Sequence, residues 1–107
     1  MPWEVTLAKS VLDDLRWFGR KDGRRLLQAA EELLQADPLT ETRNLKTVRP
    51  NQVAQKELRF FGKYRVLFNV DAAAELVTLV LVGEKRGNKL IVQGEEYTAH
   101  HESNSAK

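Results

Sequence analysis

An α+β fold is predicted for this chain of 107 residues: an N-terminal strand, then a helical hairpin packed on one face of a mainly antiparallel sheet, in the order β-α-α-β-β-β. Three observations predict it. Apolar residues recur at helical spacing through roughly residues 8–36. From Val53 onward they alternate or run together as strands do. The breaks between those strands are short, which forces antiparallel neighbours, since a parallel pair needs a crossover of about a dozen residues.

Trp3, Val5 and Leu7 alternate with Glu4 and Thr6, the period of a strand with one buried face. Val11, Leu12, Leu15 and Phe18 then recur at helical spacing, with Asp13, Asp14 and Arg16 toward water and Gly19 as the stop. A second helix is expected from Asp22, with Leu26, Leu27, Ala30, Leu33 and Leu34 on one face. Asp37-Pro38 ends it, because the residue before a proline is pushed out of the α region. Residues 38–51 show no clean period and are expected to form an ordered loop. Strands follow at Val53 to Phe60, Tyr64 to Val70 and Leu76 to Val82, separated by turns at Gly62-Lys63 and Asp71 to Glu75. Leu76 to Val82 is nearly all apolar, as in a strand buried on both faces. Gly83 to Asn88 is expected to be a polar turn, and Lys89-Leu90-Ile91-Val92 a last short strand.

The bulk numbers bound the answer without identifying an activity. The length suits one domain, expected over residues 1–97, with a polar, flexible tail over 98–107. The composition, 42% apolar and 30% charged, is that of a soluble globule. No apolar run approaches the ~18–20 residues that cross a bilayer, and Met1-Pro2-Trp3-Glu4 does not resemble a secretory signal. The absence of cysteine excludes disulfides, thiolate catalysis and cysteine-ligated metal. A cytoplasmic protein is the expectation.

Charge is distributed unevenly. Arg43 to Lys89 holds ten Lys/Arg against four Asp/Glu, whereas residues 1–42 hold six against eight and residues 90–107 one against three. The overall +2 thus hides a cationic sheet between mildly acidic ends, which points to a phosphate-bearing partner.

The Leu58-Arg59 pair, the strand Tyr64-Arg65-Val66-Leu67-Phe68, and the run Val82-Gly83-Glu84-Lys85-Arg86 resemble, in this order and spacing, the RelE/ParE superfamily of toxins from bacterial toxin–antitoxin pairs. Gly87-Asn88-Lys89-Leu90 and Gly94-Glu95-Glu96-Tyr97 are similar to a RelE-like subgroup, and the resemblance spans residues 3–97. It implies a metal-independent, cofactor-free ribonuclease that cuts messenger RNA on the ribosome and is held in check by an antitoxin. Operator DNA would be met only through that antitoxin, and no membrane is involved. In such chemistry basic residues orient the RNA for attack by its own 2′-hydroxyl and stabilise charge on the phosphate.

Carried over residue by residue, the resemblance implies catalytic roles for Arg65, for Arg86 or its neighbour Lys85, and for Arg59. Two lysines of the family's pattern fall here on Gln55 and Glu57, and Lys56 between them is expected on the opposite face. Glu57 is then either a base or an ion-pair partner, and Tyr97 takes the place of a C-terminal tyrosine. Lys46, Lys56, Lys63 and Lys89 are the further nucleic-acid contacts. Arg59, Arg65 and Arg86 are expected to converge on one accessible surface.

Simpler readings stand beside these. Arg65 fits an exposed strand arginine paired with Glu57, and Lys85 to Lys89 a solvated turn. Lys46 and Lys63 fit solubilising charges. His100 and His101 lie in a polar tail without ligand spacing around them. Trp3, Trp17 and Phe18 read as core or partner-facing residues, and Phe60 and Phe68, in strand patterns, as core. A gyrase-poisoning, ParE-like binder and a catalytically silent homologue that serves as a protein-binding module are the alternative functions.

Overall fold

The computed structural model describes residues 3–97. Along the chain run β1 (Glu4–Leu7), α1 (Lys9–Trp17), α2 (Gly19–Ala36), β2 (Leu45–Thr47), β3 (Lys56–Phe60), β4 (Tyr64–Asp71), β5 (Leu76–Arg86), β6 (Lys89–Val92) and β7 (Glu95–Tyr97). Among the described residues these make one sheet of seven strands in the order β2-β3-β4-β5-β6-β7, with β1 parallel to the first part of β5. All other neighbours are antiparallel.

The helical hairpin covers one face. Val11 and Leu15 of α1, with Leu26, Ala30 and Leu34 of α2, bury themselves against Leu58, Val66, Phe68, Val77, Leu79 and Val82. The helices approach closely because Gly23 has no side chain: a Cβ there would lie 2.5 Å from the Leu15 carbonyl oxygen. A smaller apolar cluster, Ala54, Leu67 and Leu81 flanked by Val53, Val80, Leu90, Val92 and Tyr97, lies on the opposite, helix-free face. A bulge explains how β5 serves both faces. Leu67 pairs with Leu81 but Phe68 pairs with Leu79, so Val80 is the extra residue and the alternation shifts by one.

The structure corrects several expected boundaries. The second helix starts at Gly19, not Asp22, and only Phe18 separates it from α1. Gly19 takes φ of +89°, a conformation open to glycine, so the chain reverses without a longer linker. The segment expected to be a loop contains β2, which buries Leu45 against β3. The strand expected from Val53 begins at Lys56, because side chains satisfy the backbone before it. Asn51 Oδ1 accepts the N–H groups of Val53 and Ala54, Asn69 Oδ1 accepts that of Gln55, and Gln55 Oε1 accepts that of Val70. Finally, β5 runs on through Gly83 to Arg86, where a polar turn is expected from sequence. β6 folds back after a tight Gly87-Asn88 turn, and β7 adds an edge that the sequence does not announce.

Candidate functional site

Side chains alternate across a strand, so the register sorts the basic residues onto two faces. Val66 and Phe68 point to the helices, which places Arg65 on the helix-free face. Arg59 lies directly opposite Arg65, and Glu57 lies opposite both Leu67 and Lys46. Gly83 faces Arg65 from β5, and Lys85, two residues on, follows on the same side. Lys85, Leu90 and Tyr97 then form one row across β5, β6 and β7. The helix-free face therefore gathers Lys46, Arg59, Arg65 and Lys85 near the carboxylate of Glu57, with Tyr97 beside them.

Between the β6–β7 hairpin and the loop before β3 lies a cleft of about 610 Å³, lined by Arg49, Glu57, Leu67, Lys85, Leu90 and Tyr97 among others. Arg59 and Arg65 adjoin it through Glu57. Arg59 Nε donates to Glu57 Oε1 at 3.1 Å, and Arg65 Nε lies 4.0 Å from the same oxygen. Two like charges opposite each other on a sheet repel; here one carboxylate oxygen stands beside both.

Arg65 is the least accessible of the cations, its side chain 11% exposed against 43% for Arg59. Its Nη1 donates to the carbonyls of Tyr64 and Gly62, which fixes the plane of the guanidinium. Burial pushes its pKa below the ordinary value; the Glu57 carboxylate pulls it back and the Arg59 charge pushes it down further. An arginine so shifted stays protonated at physiological pH. The simple reading of an exposed Arg65 paired with Glu57 thus needs revising: Arg65 is largely covered, and the closer partner of Glu57 is Arg59. Lys85 is held from behind, since its backbone N–H donates to the Lys63 carbonyl at 2.7 Å.

Of the remaining basic residues expected at the site, only Lys89 joins the cleft lining. Arg86 does not join Arg59 and Arg65. It shares the helix side of β5 with Glu84, to which its Nε donates at 3.3 Å. Lys56 also faces the helix side, as its alternation predicts, and its Nζ donates to Thr47 Oγ1. Lys63 sits in the β3–β4 turn with its ammonium over the Tyr64 ring, and Lys89 pairs with Glu96 at 3.7 Å. Arg49 lines the cleft although it belongs to an aperiodic loop, and its local pattern gives no hint of that. Among the described residues no group of His, Asp or Glu is gathered to hold a metal ion, and no helix is long and apolar enough to cross a membrane. His100 and His101 lie outside the described residues.

No protein-family model matches the sequence, and no curated protein does. Solved structures do match. A chain of the RelBE2 toxin–antitoxin complex of Mycobacterium tuberculosis superposes with a TM-score of 0.67 at 22% identity, over 79% of this chain and 93% of that one. A chain of the archaeal RelE–RelB complex of Pyrococcus horikoshii gives a TM-score of 0.62 at 20% identity, over 82% and 99%. With its strand, helical hairpin and antiparallel sheet, the chain has the fold of the RelE toxins found in RelBE complexes.

Proposed function

We propose that the protein is the toxin of a toxin–antitoxin pair, with residues 1–97 as the toxin domain, and that it acts in the cytoplasm as a metal-independent, ribosome-dependent endoribonuclease on messenger RNA. One observation supports this above the rest: Lys46, Arg59, Arg65 and Lys85 share the helix-free face around Glu57, beside an open cleft. A phosphodiester seated there meets fixed positive charge before it reacts, so the charge that develops needs no reorganisation. In the reaction the 2′-oxygen bonds to phosphorus and the bond to the 5′-oxygen breaks, leaving a 2′,3′-cyclic phosphate and a 5′-hydroxyl. Glu57 accepts the 2′-hydroxyl proton, Arg59 and Arg65 hold the phosphate oxygens, and Lys85, beside Tyr97, gives a proton to the leaving 5′-oxygen. Lys46, Arg49 and Lys89 steer the strand, and Lys56, Lys63 and Arg86 act as outlying charges.

The placement separates two adjacent cations. Lys85→Ala is expected to lower cleavage roughly 10²-fold. Arg86→Ala, on the other side of the strand, should change it less than about threefold, as for an exposed ion pair. Mapping of RNA 5′ ends after induction, at matched expression, measures both. Equal losses, or a larger loss for Arg86, would refute the assignment; arrested growth without new RNA ends would favour a gyrase-directed or purely binding toxin.

The partner in this reading is an acidic and apolar antitoxin. Besides the cationic sheet, the helices expose Leu12 and Leu33, and a groove of about 480 Å³ between α1 and α2 sets Leu12, Leu15 and Leu27 among Arg16, Arg20 and Arg24. Raising ionic strength from low to moderate is expected to slow association by about tenfold or more while dissociation changes little, because steering is screened and buried contacts are not. Both rate constants are measurable by surface-immobilised binding. An association rate indifferent to salt would show that the antitoxin first meets an uncharged surface.

A further inference from the structure

Asp13 and Asp14 are neighbours on α1 with opposite fates. Asp13 is exposed and pairs with Arg16, whereas Asp14 is 1% exposed. Neither of its oxygens lies within ion-pair distance of a cation among the described residues; both accept from neutral donors. Oδ2 accepts the backbone N–H of Val82 at 3.0 Å, and Oδ1 accepts from Gln93 Nε2 at 2.6 Å.

The first bond fills a break in the sheet. Opposite its β4 edge, β5 is paired by β1 as far as Leu79 and by β6 only from Glu84. Val82 falls between the two, and the Asp14 carboxylate takes the place of a strand there. The second bond reaches the turn of the β6–β7 hairpin, where Gln93 holds a φ of +53°. Gly94, next to it, lies against the Trp17 ring of the same helix, where a Cβ would come within 2.8 Å. That hairpin carries Leu90 and Tyr97, and its ladder to β5 spans only Glu84 to Arg86.

We infer that Asp14 is a positioning residue, a buried carboxylate that docks the β6–β7 hairpin on α1 and thereby sets Tyr97 and Lys85 against the Glu57 side of the cleft. The inference rests on the cleft being the reactive site. It concerns a residue that touches no substrate and lies 68 positions from Val82 in the chain.

The test exploits the polarity of the contact. Gln93→Glu sets a second carboxylate against the first, and adding Asp14→Asn restores a donor facing an acceptor while leaving an oxygen for Val82. In the full chain carrying Trp3→Phe, Trp17 is the sole tryptophan and reports hairpin docking by its emission. Gln93→Glu is expected to change the intensity of Trp17 emission, with little change in wavelength because the residue is already 57% exposed. It is also expected to lower kcat for RNA cleavage on ribosomes roughly 10²-fold, as misplacement by about an ångström does. KM should change much less, and Asp14→Asn/Gln93→Glu should recover both signals. Parent-like emission and kcat in Gln93→Glu, or a double variant as impaired as the single one, would overturn the inference. Should the parent cut no RNA, the ribonuclease reading falls, and the emission series still decides whether Asp14 docks the hairpin.

Discussion

Replacing Arg65 with alanine is expected to lower RNA cleavage by about 10²–10³-fold, the loss typical of removing one preorganised group that stabilises developing charge. The guanidinium is largely covered, bonded to the Tyr64 and Gly62 carbonyls, and faces Gly83 across the ladder. It therefore meets a phosphate in a fixed orientation, which a mobile surface cation does not. The fold should survive. The 4.0 Å approach to Glu57 is long for an ion pair, and Glu57 keeps its closer bond to Arg59. Lysine at this position is expected to recover only part of the activity, since it lacks the planar fork that both carbonyls hold. Growth arrest and RNA ends, followed at equal expression with the thermal midpoint as the control for folding, report the result. A fully toxic Arg65→Ala protein would place the site elsewhere.

The largest loss of stability is expected at Phe68. Its ring is fully buried at the bulge, between the helical hairpin and the sheet. Phe68→Ala removes the ring and leaves a cavity that its neighbours in the core close only in part, a cost of about 3–5 kcal/mol. Domains of this size hold only about 5–15 kcal/mol in all. The thermal midpoint should fall by at least about 12 °C, at roughly 4–8 °C per kcal/mol for a domain near 100 residues. Phe68→Leu, which keeps most of the volume, should fall well short of that. A midpoint within a few degrees of the parent would mean that the core collapses around the gap.

The elements with strong local periods were legible in the sequence. Val11, Leu15, Leu26, Ala30 and Leu34 are the buried stripe that helical spacing marks, and the Tyr64 strand lies where alternation puts it. The register of Arg59 opposite Arg65 follows from a tight turn centred on Gly62, and Lys56 faces away from the site as a period of two requires. Other features depend on partners distant in sequence. β2 is three residues long and buries only Leu45, too little to show a period. β1 pairs with β5 in parallel, a choice made by packing and not by any local pattern. The side on which Lys85 and Arg86 fall depends on whether β5 continues beyond Gly83, and β6, by returning across the Gly87 turn, decides that. Asp14 reads as a solvent-facing helix residue because its two donors arrive from strands formed much later in the chain.

The reading of this chain as a ribosome-dependent ribonuclease is tested most directly by incubating the purified protein with ribosomes halted on a defined messenger RNA and mapping the ends produced. The parent should cut the message within the ribosome-covered stretch and leave a 5′-hydroxyl end. It should leave the same RNA intact when ribosomes are absent, and Arg65→Ala should leave the programmed message almost whole. An intact message from a parent preparation that still arrests growth, or cleavage by Arg65→Ala at the parent's rate, would contradict it.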